Sequence, residues 1–101
     1  MIKHIVFWKL RDDLQGAARD ERLHAIKEGF EKLQGVIPGL RHIEVGFDFL
    51  RTPESVDIVL YSEFESREAL EGYANHPGHL AMLPVVREVR IERRSGDYEV
   101  R

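Results

Sequence analysis

The stretch Tyr73-Ala74-Asn75-His76-Pro77-Gly78-His79 puts one phenol and two imidazoles within seven residues. Tyr73 and His76 lie three apart, so on a helix they share a face. His79 follows the Pro77-Gly78 break, where the chain can turn back on itself. An imidazole changes charge at roughly pH 6.5, so it can move a proton at neutral pH without special tuning. A phenolic O–H can donate to an oxygen on which negative charge is developing. Together, Tyr73 and His79 could take a proton alpha to a carbonyl and hold the resulting enolate. The same residues also fit a purely architectural role, in which His76-Pro77 ends a helix and His79 bonds backbone in a loop.

His4 is the third candidate. It shares a strand face with Val6 and Trp8, which places its imidazole in an apolar cavity if that face meets helices. The commoner role for such a residue is a core histidine satisfied by a backbone carbonyl. His42 and Glu44 share a face of another strand. With His4 or His79 they would supply the ligand types of a His₂-carboxylate metal site, but any alternating strand offers that spacing, and no metal is expected. Trp8 either lines a ligand pocket or fills the core. Arg87, Arg90, Arg93 and Arg94 form a basic edge, but Glu88, Glu92, Asp97 and Glu99 interleave with them, which reads as a solvated surface. There is no phosphate-cradling glycine loop, nucleophile elbow or zinc-binding helix motif, so no cofactor is expected.

The elements that must position these residues follow from periodicity. Ile2 to Leu10 is rich in β-branched and aromatic residues and apolar on both faces, a strand covered on both sides. Ala17 to Gln34 carries Leu23, Ile26, Phe30 and Leu33 on one helical stripe, with Gly35 as its C-cap. Leu40 to Phe49 and Val56 to Phe64 alternate as strands and form an antiparallel hairpin. Ser66 caps a second helix from Arg67 to about Asn75, which the His76-Pro77 step must end. Leu80 to Leu83 forms a short turn, Val86 to Arg93 a last strand, and Gly96 to Arg101 a tail. The order β-α-β-β-α-β predicts an α+β, ferredoxin-like protomer with two helices on one sheet face. The other face, assigned Ile5, Phe7, Ile43, Val45, Phe47, Val59 and Tyr61, is too apolar for water. It predicts a homodimer with the two sheets face to face.

Composition narrows the classes. A chain of 101 residues is one domain, residues 1–101, and its 43% hydrophobic content is enough for a packed core. A net charge of −3 argues against a dedicated nucleic-acid binder. The absence of cysteine excludes a disulfide scaffold, a thiolate zinc site and a cysteine nucleophile. No apolar run reaches the roughly 18–20 residues of a membrane span, and the first residues carry no signal-peptide cleavage site, so a cytoplasmic location with no membrane partner is expected.

Three segments carry a resemblance: Ile2-Lys3-His4-Ile5-Val6-Phe7-Trp8-Lys9-Leu10, Ile37-Pro38-Gly39, and His76-Pro77-Gly78-His79. Together they resemble the stress-responsive dimeric α/β-barrel (Dabb) family over nearly the whole chain. The resemblance implies a ferredoxin-like protomer and a homodimer whose sheets close into a barrel. That family includes a plant polyketide cyclase that closes a linear tetraketide by intramolecular aldol condensation without a cofactor. By resemblance to it, His79 is the general base, Tyr73 orients substrate and stabilises the oxyanion, His4 lines the pocket, and His76 anchors the loop. Trp8 and Met82 would make the pocket tight for a long tetraketide.

Three functional expectations follow. The first is a homodimeric stress-responsive barrel protein with a hydrophobic small-molecule pocket between helices and sheet. The second is a cofactor-free cyclase or aldol-type enzyme acting on a hydrophobic keto or polyketide-like compound. The third, by fold analogy, is a cofactor-free monooxygenase. A non-enzymatic stabilising module would instead have its cavity filled by Trp8, Phe30 and Leu70.

Overall fold

The computed structural model describes residues 1–101. Its strands are β1 (Ile2–Leu10), β2 (Leu40–Phe47), β3 (Ile58–Phe64) and β4 (Arg90–Glu99). Its helices are α1 (Gly16–Glu31), α2 (Arg67–Asn75), α3 (Pro77–Leu80) and α4 (Leu83–Arg87). The strands form one antiparallel sheet in the order β2-β3-β1-β4, so β1 and β3 are central and β2 and β4 are edges. This is the expected ferredoxin-like α+β arrangement, with the second helical region broken into three short helices.

Alternation decides what each strand buries. Ile2, Val6, Trp8 and Leu10 of β1 and Ile58, Leu60, Ser62 and Phe64 of β3 turn toward the helices and are buried. Ser62 is tolerated there because its hydroxyl donates to the His4 carbonyl at 2.9 Å. From α1, Ile26 and Phe30 close over this face, and Leu33 follows just beyond the helix. The helix ends three residues before the expected Gln34. The chain then descends through turns that bury Leu33 and Ile37, with Gly35 in the left-handed region at φ 84°.

Two expectations about faces and ends are corrected. Ile43 and Val45 were assigned to the open sheet face; they are buried on the helix face, opposite Ser62 and Leu60. The edge strand β2 has one apolar and one polar side, and the apolar side goes to the core. Phe47 lies opposite Ile58 on that same side, though 39% exposed. The open face keeps Ile5, Phe7, Val59 and Tyr61, all half-buried, beside the Lys3–Glu63 pair at 2.8 Å and the His42–Glu44 pair at 2.6 Å.

The second correction concerns the C-terminus. Val86 and Val89 are not the start of the last strand: Pro84 opens the short α4, and the two valines, three apart, are buried at its end. β4 starts at Arg90 and runs to Glu99, paired with β1 along its length, so residues 96–99 are strand and not tail. β2 ends at Phe47 rather than Phe49, and β3 starts at Ile58 rather than Val56. There the Asp57 carboxylate accepts from the Leu10 backbone N–H at 2.7 Å and closes the end of the sheet. No helix is long and apolar enough to cross a membrane.

Candidate active site

The break after α2 is built by its own residues. Ser66 caps α2 by accepting from the Ala69 N–H at 3.1 Å. His76 leaves the helix with ψ 138°, and its Nδ1 accepts from the Gly78 N–H at 2.9 Å, capping α3. His76 is thus spent on the turn. A Cβ at Gly78 would approach Leu33 Cδ2 to 2.9 Å, so the turn sits tightly on the residues that follow α1. The turn delivers His79 back against the sheet.

There, Tyr73, His79 and His4 line one cavity of about 270 Å³ between helices and sheet. Trp8 and Phe30, with ring centroids 5.5 Å apart, form part of its apolar wall, and Leu60, Leu83 and Val86 continue it. Met82 does not line it; Met82 is buried against α1, where a Cβ on Gly29 would come within 2.4 Å of its Sδ and push the flexible side chain aside. Leu70 packs on the core elsewhere. Trp8 and Phe30 therefore border an open space and do not fill it.

The three polar groups have distinct states. Tyr73 is 2% exposed, and its ring lies 4.4 Å from that of His79 and 5.0 Å from Phe64. Its hydroxyl has no protein partner, yet it is not sealed in the core and opens on the cavity. Burial pushes its pKa well above the usual phenol range, against a small opposing effect of Arg93, so it stays a proton donor. His79 Nδ1 lies 3.1 Å from the Ala74 carbonyl oxygen. A carbonyl only accepts, so Nδ1 carries the proton and Nε2 holds a bare lone pair. Burial pulls the His79 pKa below its ordinary value; the charges of His4 and Arg93 add to this, while the bond to Ala74 opposes it. At neutral pH His79 is a neutral imidazole, the state a general base requires.

His4 Nδ1 bonds the Asp97 carboxylate, which fixes the ring with its other nitrogen unpaired. Its ring stands edge-on to Tyr73 at 6.1 Å. Asp97 was not singled out from the sequence, because it fell in the supposed tail. The signal that finds it is register: once β4 is continued along β1, Asp97 stands opposite His4. Arg87 and Arg93 are exposed, as the sequence reading expected, and Arg90 is half-buried; all three also line the cavity. His42 and Glu44 do not join the site. They bond each other on the opposite sheet face, and neither His4 nor His79 reaches them.

Comparison with known proteins bears on the family and the fold. The family model for the stress responsive A/B barrel domain matches residues 2–100. The chain belongs to that family. An uncharacterised protein of Streptomyces coelicolor is 37% identical over 89 residues, covering 87% of this chain and 89% of that one. A crystal structure from Bacteroides fragilis, of a dimeric ferredoxin-like protein of unknown function, superposes with a TM-score of 0.89 at 37% identity. That match covers 98% of this chain and 95% of the other. A hydroxynitrile lyase of Passiflora edulis shares the fold, with a TM-score of 0.80 at 16% identity over 99% of this chain and 93% of its own.

Proposed function

We propose that the protein is a homodimeric, cofactor-free acid–base enzyme acting on a small hydrophobic carbonyl compound, in the manner of an aldol-type cyclase or lyase. The observation that carries this is the pairing, across one cavity, of a bare His79 Nε2 with a Tyr73 hydroxyl that has no protein partner. The Ala74 carbonyl occupies His79 Nδ1 alone, so one donor and one acceptor on the cavity lining are left free for a ligand. In the proposed reaction Nε2 takes the proton alpha to the substrate carbonyl, and the C–H electron pair moves into the enolate. The Tyr73 O–H donates a hydrogen bond to the enolate oxygen. The enolate carbon then attacks an electrophilic carbonyl, and the imidazolium returns its proton to the new alkoxide. No outside oxidant or metal is required by this balance.

The cavity of about 270 Å³ falls just below the range of ordinary ligand pockets, roughly 300–1,000 Å³. The substrate is therefore compact, and a long linear tetraketide is not the favoured one. The homodimer reading rests on Ile5, Phe7 and Val59 on the uncovered sheet face, on the exposed Phe49 and Leu50, and on the dimeric state of the Bacteroides fragilis relative. A single experiment tests the activity: His79→Ala is assayed beside the unaltered protein on a panel of compact diketones and keto acids. The expected result is conversion by the unaltered protein, and none by a variant that keeps its circular dichroism spectrum. Full conversion by His79→Ala would remove the base assignment.

A further inference from the structure

Three arginines line the same cavity: Arg87 from the end of α4, Arg90 from the start of β4, and Arg93 from its middle. Arg93 pairs with Trp8 and Arg90 with Leu10 across the β1–β4 ladder, so both stand on the helix-facing side of the sheet. Arg93 lines the same cavity as Tyr73 and His79.

None of the three takes part in an ion pair, although the chain carries an excess of carboxylates, 18 against 15 basic side chains. The contrast within the molecule is sharp. Arg19, Arg22, Arg41, Arg67 and Arg94 each hold a carboxylate oxygen within 3.4 Å. The acids beside the cavity mouth are all engaged elsewhere: Glu88 by Arg22 at 2.7 Å, Glu92 by Arg94 at 3.0 Å, and Asp97 by His4. The one polar contact of Arg93 is Ser95 Oγ at 3.4 Å. Arg87 and Arg93 are exposed and Arg90 is half-buried, so three cationic side chains without a carboxylate partner border the opening of an otherwise largely apolar cavity. Beyond these arginines the lining is apolar apart from His4, Tyr73 and His79.

We propose that Arg87, Arg90 and Arg93 form a carboxylate clamp, and that the ligand of this cavity is a compact organic acid. Its apolar or aromatic body lies against Trp8 and Phe30, and its carboxylate is held at the mouth. Guanidinium groups suit this task because their planar N–H pairs match the two oxygens of a carboxylate. The inference rests on the proposed function for the choice of this cavity, and it names the substrate class, a keto acid in place of a neutral ketone. The clamp would also fix which carbon is presented to His79 Nε2.

The test reads binding and not turnover. Isothermal titration of the full chain compares 3-phenylpropanoate with its neutral isostere 3-phenylpropanamide at pH 7.5, alongside Arg93→Gln and the triple variant R87Q/R90Q/R93Q. Charge-assisted bonds predict that the acid binds the unaltered protein at least about ten-fold tighter than the amide. That gap should narrow in Arg93→Gln and close to within about two-fold in the triple variant, with amide affinity unchanged. Equal affinity for acid and amide in the unaltered protein would overturn the proposal. So would a gap that survives in the triple variant, or no binding of either compound at millimolar concentration. Inorganic phosphate is titrated as well: if it displaces the acid with comparable affinity, the mouth is a phosphate seat and the carboxylate assignment fails. His79→Ala should retain the acid preference. An inactive protein that still prefers the acid removes the catalytic reading alone, and an active one without the preference removes the clamp alone.

Discussion

Replacing Tyr73 by phenylalanine separates the chemistry of this residue from its packing. The ring is almost wholly buried and packs on Phe64 and His79, and a phenylalanine keeps those contacts. Only the hydroxyl is lost, and it has no protein partner. Had it been bonded, its removal would cost about 1 kcal/mol. With no bond to lose, Tyr73→Phe should change the unfolding free energy by less than about 0.5 kcal/mol, which urea denaturation resolves when the slope is unchanged. Tyr73→Ala, by contrast, would empty a core site and cost roughly 3–5 kcal/mol. On the substrate found in the carbonyl panel, Tyr73→Phe should lower kcat by about a hundred- to a thousand-fold, the usual effect of removing one oxyanion donor. A fall in stability of more than about 1 kcal/mol with activity retained would refute the reasoning, because the hydroxyl would then be a structural bond and not a free donor.

Three further outcomes are expected. The folded state depresses the His79 pKa, so the unfolded chain binds a proton more readily between that depressed value and the ordinary 6.5. His79 therefore contributes stability that is complete above about pH 6.5 and is lost as pH falls toward the folded value, and His79→Ala should flatten that limb of the stability–pH curve. Gly39 has φ 79° and a Cβ there would lie 2.5 Å from Ala69 Cβ, whereas Gly35 has φ 84° and open space around it. Gly35→Ala should cost about 1–2 kcal/mol in urea unfolding, and Gly39→Ala at least about 1 kcal/mol more, because α2 must shift; equal costs would contradict the close approach. Phe7→Arg places a charge at the centre of the open sheet face, and light scattering should find the unaltered protein dimeric, as proposed, and the variant monomeric; a dimer unaffected by the change would argue that another surface joins the copies.

The element order was legible because each long element carries its own period. Leu23, Ile26 and Phe30 mark the helix stripe of α1, which Leu33 continues into the following turn and so hides the helix end, and Ser66 and Pro77 bracket α2 by capping and by the missing N–H. The His76-Pro77-Gly78-His79 turn was equally legible. The C-terminal quarter was not, because Val86, Val89 and Ile91 fit a strand as readily as a helix end. Only Pro84 and the pairing of β4 with β1 decide between them. Ending the strand at Arg93 rather than Glu99 left Asp97 in a supposed tail, and the cavity beside Arg87, Arg90 and Arg93 went unseen. Likewise, alternation in β2 showed two faces but not which one meets the helices, a matter settled by register against β3. Residues joined by local spacing were found; residues joined only through ladder register, such as His4 with Asp97 and Trp8 with Arg93, were not.

The most direct test of the central claim is deuterium wash-in at the carbon alpha to a carbonyl. Compact keto acids and ketones are incubated in heavy water with the unaltered protein or His79→Ala, and followed by proton NMR. If His79 Nε2 is a general base over this cavity, the unaltered protein will exchange the alpha proton of at least one compound faster than buffer, and the variant will lose about a hundred- to ten-thousand-fold of that acceleration. Exchange no faster than buffer across the panel, or acceleration that survives in His79→Ala, would contradict it.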